Sequence, residues 1–188
     1  MSQKKPFIVG IGGTTRPGSS SEQALALALR HVSKQAEVRL FSGTDLLLPM
    51  YDAVPGELPQ GAKDLIEALR RADGIILASP CYHGAVSGLV KNALDYVEEM
   101  RADPRVYFDG RAVGSIGCGF GYQGPGVVLG QLRQMTHALR GWPVPMGVAI
   151  NTAVTKFQDG NCNDEGVAKQ IAIMADQVLE FAVMRMRA

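Results

Sequence analysis

The sequence has few cysteines and few aromatic residues, and it carries almost no excess charge of either sign. Its cysteines, Cys81, Cys118 and Cys162, are an odd number without C-x-x-C spacing, which argues against a disulfide framework and against a zinc site. A net charge of +1 creates no field that would attract nucleic acid or an anionic membrane. We therefore expect no metal site, no nucleic-acid partner and no membrane partner.

Long hydrophobic runs are also missing. No apolar run approaches the roughly 20 residues that a membrane-spanning helix needs. Residues 1–6 lead into an apolar run that is too short for the core of a signal peptide. These absences predict a cytoplasmic protein. The 188 residues, 46% of them hydrophobic, suit one domain with a sizeable core, which we expect to span residues 1–188.

The most informative stretch is a loop over residues 10–22 that is rich in glycine and hydroxyl side chains. It follows an apolar run at residues 7–9 and precedes an amphipathic segment near Gln23, which predicts strand, loop and helix in that order. Backbone N–H groups at a helix N-terminus attract phosphate, and hydroxyls and a guanidinium add donors. The candidate phosphate ligands are Thr14, Arg16, Ser19, Ser20 and Ser21, with Ser20 or Ser21 as the expected N-cap.

This loop lacks the two commonest nucleotide signatures. No Gly-Lys-Ser/Thr follows it, so it is not a Walker A loop. The glycines at positions 10, 12 and 13 are not followed by the third glycine of the dinucleotide fingerprint, because Thr15 occupies that position. The loop therefore favours a monophosphate ligand over a pyrophosphate.

Strand-like and helix-like segments alternate five times, which predicts a parallel sheet with helices on both faces. The predicted strands are 6–12, 36–41, 74–78, 111–118 and 143–150. The predicted helices are 20–34, 62–72, 86–100, a helix from Pro125 to a stop near Gly141, and 164–186. Right-handed crossovers leave two common strand orders, and the number of five strands favours the order 2-1-3-4-5. In this order the alternating second strand lies at an edge, and ligands bind beyond the carboxyl ends of strands 1 and 3.

The connection at residues 42–61 is long and rich in proline and glycine. Its piece from Leu46 to Tyr51 is too apolar to be only a solvated loop. We expect it to cover the sheet edge or an oligomer interface.

Two further loops leave the same edge of the predicted sheet as the phosphate loop. Residues 79–84, after the third strand, contain Tyr82, whose ring suits a planar ligand, and Gly84, which allows close approach of the backbone. Residues 119–124, after the fourth strand, contain Gly119 and Gly121, whose N–H groups we expect to point at carbonyl oxygens of a ligand. Phosphate at one end and a flat, hydrogen-bonding ring at the other indicate flavin mononucleotide (FMN).

Residues 13–21 resemble the phosphate loop of the NAD(P)H-dependent FMN reductase family, Gly-Ser-x-Arg-x-x-Ser-x-Asn/Ser. Residues 79–84 and 87–95 resemble the family's Pro-Glu-Tyr-Asn-Gly and Gly-x-x-Lys-Asn-Ala-Leu-Asp motifs. The resemblance covers about residues 7–150. It implies a flavodoxin-like three-layer sandwich with a five-stranded parallel sheet, bound FMN, and NADPH or NADH as co-substrate.

The resemblance also implies the residues that flank the cofactor. By position these are Thr14, Arg16, Ser19, Ser20 and Ser21 at the phosphate, Pro80, Cys81, Tyr82, His83 and Gly84 beside the ring, and Gly119, Phe120, Gly121 and Tyr122 at its pyrimidine end. The chain departs from the family pattern at two positions. Cys81 stands where glutamate is frequent, and His83 stands where asparagine is frequent.

The implied activity is transfer of a hydride from a nicotinamide cofactor to FMN and then of electrons to a second acceptor, without a catalytic side chain. An FMN-containing quinone or azo reductase is the alternative within the same chemistry. A non-catalytic electron carrier like flavodoxin and a phosphate-binding regulatory domain are alternatives of other classes. Two features argue against the carrier: flavodoxins are usually strongly acidic, whereas this chain has a net charge of +1, and their phosphate loop reads Thr/Ser-x-Thr-Gly-x-Thr, whereas this loop contains Arg16. The resemblance further implies a homodimer or homotetramer, and a flavin-using monooxygenase as candidate partner.

Purely structural roles remain open for several of these residues. Arg16 could be a solvated surface charge. Tyr82 and His83 could close a turn and cap the following helix. Cys81 and Cys118 end neighbouring predicted strands, so they could be a redox pair or two inert buried thiols.

Overall fold

The computed structural model describes residues 4–52, 56–158 and 160–187. The chain is built around a parallel sheet of five strands. The strands are β1 (Phe7–Gly12), β2 (Glu37–Phe41), β3 (Gly74–Tyr82), β5 (Ala112–Gly119) and β6 (Trp142–Asn151). Their order is β2-β1-β3-β5-β6, and every neighbouring pair is parallel. This confirms the predicted order, because β5 and β6 are the fourth and fifth strands of the prediction.

Three short strands were not predicted. They are β4 (Ala85–Val86), which pairs antiparallel with the end of β3, and the hairpin of β7 (Phe157–Gln158) and β8 (Asn161–Cys162). The pairing with β4 extends β3 to Tyr82, four residues beyond its predicted end at residue 78. Two-residue strands have no periodicity of their own, so only their tertiary partners reveal them.

The helices are α1 (Ser20–Val32), α2 (Gln60–Arg71), α3 (Gly88–Asp95), α4 (Gln123–Ala138) and α5 (Glu165–Arg187). The helix predicted at 86–100 is wrong in part, because residues 85–86 form β4 and Tyr96–Met100 is a 3₁₀ helix. Ser87 fixes the start of α3, since its side chain accepts the N–H of Val90. Helix α4 begins two residues before the predicted Pro125, which lies in its first turn, where a missing N–H breaks no helical hydrogen bond.

Both faces of the sheet are buried, which explains the nearly continuous apolar strands. On one face, α2, α3 and α4 pack through residues such as Leu65, Val90 and Leu132. On the other face, α1 and α5 pack through residues such as Leu25 and Met174. The result is a three-layer sandwich with one sheet between two hydrophobic cores. Within the described residues, no helix combines the length and apolar character of a membrane span.

The two edges of the sheet differ, since side chains bind the backbone of β6 whereas β2 is half-exposed. Strand β2 is a half-exposed edge, as its alternating sequence predicted. Strand β6 is the other edge, and the guanidinium of Arg133 donates to the carbonyls of Val144 and Pro145 there. The N–H of Met146 donates to the side chain of Gln177 in α5. These contacts occupy backbone groups that would otherwise pair with another strand.

The apolar piece of the long connection packs mainly on α3. The amide of Asn92 donates to the carbonyls of Leu48 and Pro49 and accepts the N–H of Tyr51. Leu47 and Met50 remain exposed, so their expected place in an oligomer interface stays a prediction. Residues 53–55 of the predicted connection lie outside the described residues.

The end of the sheet opposite the carboxyl ends of its strands is organised by the fully buried Arg111. Its guanidinium donates to the carbonyls of Arg70 and Ala72, at the C-terminus of α2, and to the carbonyl of Tyr107. Burial lowers the pKa of Arg111 to about 10. The guanidinium still carries its charge at neutral pH, where the negative end of the α2 dipole stabilises it.

Candidate cofactor site

A cleft of about 210 Å³ lies at the carboxyl ends of β1, β3 and β5. It brings together the three loops that the sequence singled out. Its lining residues are Thr14, Arg16, Ser19, Ser20, Ser21, Pro80, Cys81, Tyr82, Cys118, Gly119, Phe120 and Thr152. The predicted residues His83, Gly84, Gly121 and Tyr122 do not line it, although they belong to the same two loops. Thr152 was missed by the sequence analysis.

The phosphate loop holds itself in shape through short-range hydrogen bonds. The hydroxyl of Thr14 accepts the N–H of Arg16 at 3.1 Å and donates to its carbonyl at 3.3 Å. Gly18 has a φ of 68°, a left-handed conformation that side chains rarely adopt. A Cβ atom at Gly12 would lie 2.1 Å from the carbonyl oxygen of Ala78, so only glycine allows β1 to approach β3 this closely.

The N-cap of α1 is Ser19, so the expectation of Ser20 or Ser21 is wrong. Ser19 has the extended backbone of an N-cap, and its hydroxyl accepts the N–H of Glu22. The Glu22 carboxylate in turn accepts the N–H of Gly18 at 2.8 Å and the hydroxyl proton of Ser42 at 3.2 Å. The spacing Ser-x-x-Glu is the capping-box signature, which would have identified both residues from the sequence.

Donors suited to a phosphate remain available around this cap. The first-turn N–H groups of Ser20 and Ser21 have no carbonyl one turn earlier in the helix to bind. They carry the positive end of the α1 dipole. Arg16 is exposed beside them, and within the described part of the chain its guanidinium forms no ion pair. This donor set fits the single phosphate group of FMN.

The second loop is a β-hairpin that joins β3 to β4. Its two turn residues, His83 and Gly84, have φ values of 52° and 80°, as in a type I′ turn. Gln131 of α4 binds the hairpin from the side, donating to the carbonyl of Gly84 at 3.0 Å and accepting the N–H of Val86 at 2.9 Å. His83 therefore closes a turn, which was one of the two roles considered for it. Tyr82 lines the cleft, and its side chain is half-exposed.

The third loop presents aromatic rings and is fastened from β6. Phe120 and Tyr122 are 89% and 83% exposed, and the N–H of Gly121 donates to the side chain of Asn151 at 2.8 Å. The expectation that this N–H is free for a ligand is therefore wrong. Asn151 and the neighbouring Thr152 follow the fifth predicted strand at the same sheet edge, and that position was the sequence signal for them.

The two cysteines at the cleft lie on opposite faces of the sheet. The register pairs Cys118 with Pro80, so the next residue, Cys81, points to the other face. Cys81 packs against the core under α3 and α4, whereas Cys118 belongs to the core under α1 and α5. Burial raises the pKa of the Cys118 thiol to about 12, which keeps it protonated at neutral pH. This arrangement is incompatible with a redox pair.

Comparison with known proteins agrees with this geometry. Residues 6–155 match the family described as NADPH-dependent FMN reductase. The chain belongs to this family. An FMN-dependent NADPH-azoreductase of Staphylococcus aureus is 35% identical over 148 residues, which cover 75% of this chain and 69% of the azoreductase. The predicted membership of the FMN reductase family is thus confirmed.

Solved structures agree on the fold. The flavoenzyme FerB of Paracoccus denitrificans superposes with a TM-score of 0.78 at 18% identity, covering 96% of this chain and 98% of FerB. An apo NADH:FMN oxidoreductase, EMOB, gives 0.66 at 22% identity over 96% of this chain and 90% of its own. A flavodoxin of Streptococcus pneumoniae gives 0.63 at 12% identity over 92% and 98%. The predicted flavodoxin-like fold is confirmed.

As an FMN reductase family member, the chain is an oxidoreductase of the NAD(P)H:FMN reductase type. Its cofactor is FMN, as predicted, and its electron donor is NADPH, one of the two nicotinamide cofactors between which the sequence analysis did not choose. The contacts of individual side chains with FMN stay predictions.

Proposed function

We propose that the FMN reductase works in the cleft at the carboxyl ends of β1, β3 and β5. The observation that carries this proposal is the coincidence of three features in one cleft. The first-turn N–H groups of α1, the exposed cation of Arg16 and the two ring-side loops, at residues 79–84 and 119–124, all border this one cleft. Phosphate and ring of one FMN molecule need these features together.

The phosphate end is proposed to lie at the N-terminus of α1. The residues that would hold it are Thr14, Arg16, Ser19, Ser20 and Ser21, all of which line the cleft. The N–H groups of Ser20 and Ser21 would bind phosphate oxygens, and Arg16 would add a charge-assisted hydrogen bond. The internal hydrogen bonds of Thr14 and Glu22 place these donors before the ligand arrives.

The ring end is proposed to lie between the hairpin and the third loop. The residues concerned are Pro80, Cys81, Tyr82, His83 and Gly84, followed by Gly119, Phe120, Gly121 and Tyr122. The chemistry that FMN supplies when bound is two-electron transfer from NADPH to an acceptor. The chain's own groups orient the ring, and the exposed rings of Tyr82 and Phe120, which line the cleft, offer stacking surface for a planar acceptor.

An azo compound is the second-substrate class that we favour over a free flavin. The azoreductase of S. aureus supports this choice, because it is 35% identical over most of this chain. Reduction of free FMN is the competing outcome, and the family description, NADPH-dependent FMN reductase, supports it.

The test is NADPH oxidation by the purified protein with added FMN, with an azo dye, and with both. Tight FMN binding together with dye bleaching supports the azo reductase. Stimulation by excess free FMN without dye bleaching identifies a flavin reductase instead. Failure to bind FMN at micromolar concentration would overturn the proposed site.

We further propose that residues 1–188 form one FMN-binding domain and that the protein is a cytoplasmic homodimer or homotetramer. The single sheet shared by both cores supports one domain. The exposed Leu47, Met50, Phe120 and Tyr122 support an oligomer, because an interface would bury large hydrophobic side chains that are otherwise in contact with water. A monooxygenase that uses reduced flavin is the proposed protein partner.

A further inference from the structure

Gln131, in α4, binds the β-hairpin formed by the end of β3 and β4, which we call the ring-side hairpin. Its amide donates to the carbonyl of Gly84 at 3.0 Å, and its amide oxygen accepts the N–H of Val86 at 2.9 Å. One side chain therefore satisfies a backbone acceptor at the turn and a backbone donor in β4. Neither role follows from its sequence position, since it lies 45 residues from Val86.

The hairpin needs such support because its own interactions are few. Strand β4 has only two residues, which pair as Cys81 with Val86 and Tyr82 with Ala85. Type I′ turns favour asparagine or glycine at both central positions, whereas the first central residue here is His83. Short hairpins without side-chain support are marginally stable in water.

Helix α4 fixes the hairpin at a second point. A Cβ atom at Gly124, in the first turn of α4, would lie 2.8 Å from the sulfur of Cys81, so helix and hairpin are in close contact there. The third loop, with Phe120 and Tyr122, leads directly into the same turn of α4. The two ring-side loops are therefore joined through one helix.

We propose that Gln131 is a positioning residue for the flavin ring, an inference that rests on the proposed FMN site. It holds the hairpin that carries Tyr82 at a set distance from the third loop, so that both walls of the ring end exist before FMN binds. Without it, binding must also order the hairpin, and affinity falls by the free energy of that ordering.

The test compares Gln131→Ala with Gln134→Ala. Gln134 is an exposed glutamine one turn further along α4, which makes it a matched control for the loss of a glutamine from this helix. We expect Gln131→Ala to raise the Kd for FMN about tenfold, the scale of two lost hydrogen bonds, and Gln134→Ala to leave it unchanged. Fluorescence titration of FMN measures both values.

A second readout separates a ring-end effect from a general loss of binding. At saturating FMN, the visible circular dichroism of the bound flavin should shift toward that of free FMN in Gln131→Ala. Arg16→Ala should weaken binding while leaving this signal as in the wild type, because it acts at the phosphate end. Equal Kd values and equal spectra for Gln131→Ala and the wild type would overturn the proposal.

The variant Gln131→Glu covers the case in which Gln131→Ala does not fold. Its carboxylate still accepts the N–H of Val86 but cannot donate to the carbonyl of Gly84, so we expect a smaller loss of FMN affinity. An affinity equal to that of the wild type would also contradict the proposal. If the wild type itself binds no FMN, the proposed FMN site is wrong. If the wild type binds FMN but Gln131→Ala and Gln134→Ala bind it equally well, only the proposed role of Gln131 is wrong.

Discussion

Arg16 is the exposed cation of the phosphate loop, and its role can be tested alone. Its backbone N–H donates to the hydroxyl of Thr14, and the residue lines the cleft. We expect Arg16→Ala to weaken FMN binding by about 1.5–3 kcal/mol, the contribution of a hydrogen bond to a charged group. Fluorescence titration measures the effect, with Lys169→Ala, which removes an exposed cation of α5, as control. Equal affinity of wild type and Arg16→Ala would make Arg16 a plain surface charge.

Because of Cys118, the free energy of unfolding of the protein is expected to decrease at alkaline pH. Burial raises its thiol pKa from 9.0 to about 12 in the folded state, while the unfolded chain ionises near the lower value. Between these values the folded state binds more protons than the unfolded state, so the free energy of unfolding falls as pH rises. Below the unfolded value the contribution is fully present.

The expected loss through Cys118 is about 1.4 kcal/mol per pH unit above that lower value. Urea unfolding of wild type and Cys118→Ala at neutral and alkaline pH measures it. Tyr51, whose pKa burial raises to about 12, shifts both proteins in the same direction, so the difference between them isolates the thiol. Parallel pH profiles for the two proteins would contradict the assignment.

At the scale of elements, Arg111 joins α2 to β5. Arg111→Ala leaves the carbonyls of Arg70, Ala72 and Tyr107 without their buried donor and opens a cavity. We expect a loss of about 3–5 kcal/mol in the free energy of unfolding, and a similar defect in Arg111→Lys, whose ammonium cannot replace a planar fork. Urea unfolding measures the loss.

Arg101→Ala is the control, because the side chain of Arg101 forms an exposed ion pair with Glu98 at 3.7 Å. It should change stability by less than about 1 kcal/mol. Since Arg111 lies at the opposite end of the sheet from the cleft, FMN affinity per folded molecule should be unchanged in both variants. A weaker affinity in Arg111→Ala would show coupling between the two ends.

The helices and strands also differ in how well the sequence pattern predicted them. The strands of the main sheet followed from apolar runs or, for β2, from alternation, and the long helices followed from apolar periodicity, because each of these patterns reflects the faces that the element buries. The split of residues 86–100 into β4, α3 and a 3₁₀ helix did not, since it depends on pairing of Val86 with Cys81 and on the hydroxyl of Ser87. Local sequence cannot specify a partner that lies elsewhere in the fold.

At the scale of the whole molecule, the prediction concerns assembly. We expect light scattering after size exclusion to give two or four times the chain mass of 20.1 kDa. The double variant Leu47→Asp and Met50→Asp should shift this mass toward the monomer if the exposed apolar piece forms the interface. A wild-type mass of one chain at micromolar concentration would contradict the proposed oligomer.

The sequence by itself determined the three-layer fold, the strand order and the family. Apolar patterns and loop composition are local; the right-handed crossover rule reduces the topologies they allow to two common strand orders, and the count of five strands favours one of them. The sequence also identified the phosphate loop, because a helix N-terminus with hydroxyls and Arg16 attracts phosphate wherever the helix lies in the fold.

Only the tertiary structure decided which groups in the cleft are still free. The N–H of Gly121 is occupied by Asn151, and the hairpin is held by Gln131, a residue without any signal in the sequence. Cys81 and Cys118 end neighbouring strands, yet the pleat turns them to opposite faces. These facts depend on register and on long-range hydrogen bonds, which pair groups tens of residues apart and leave no local pattern.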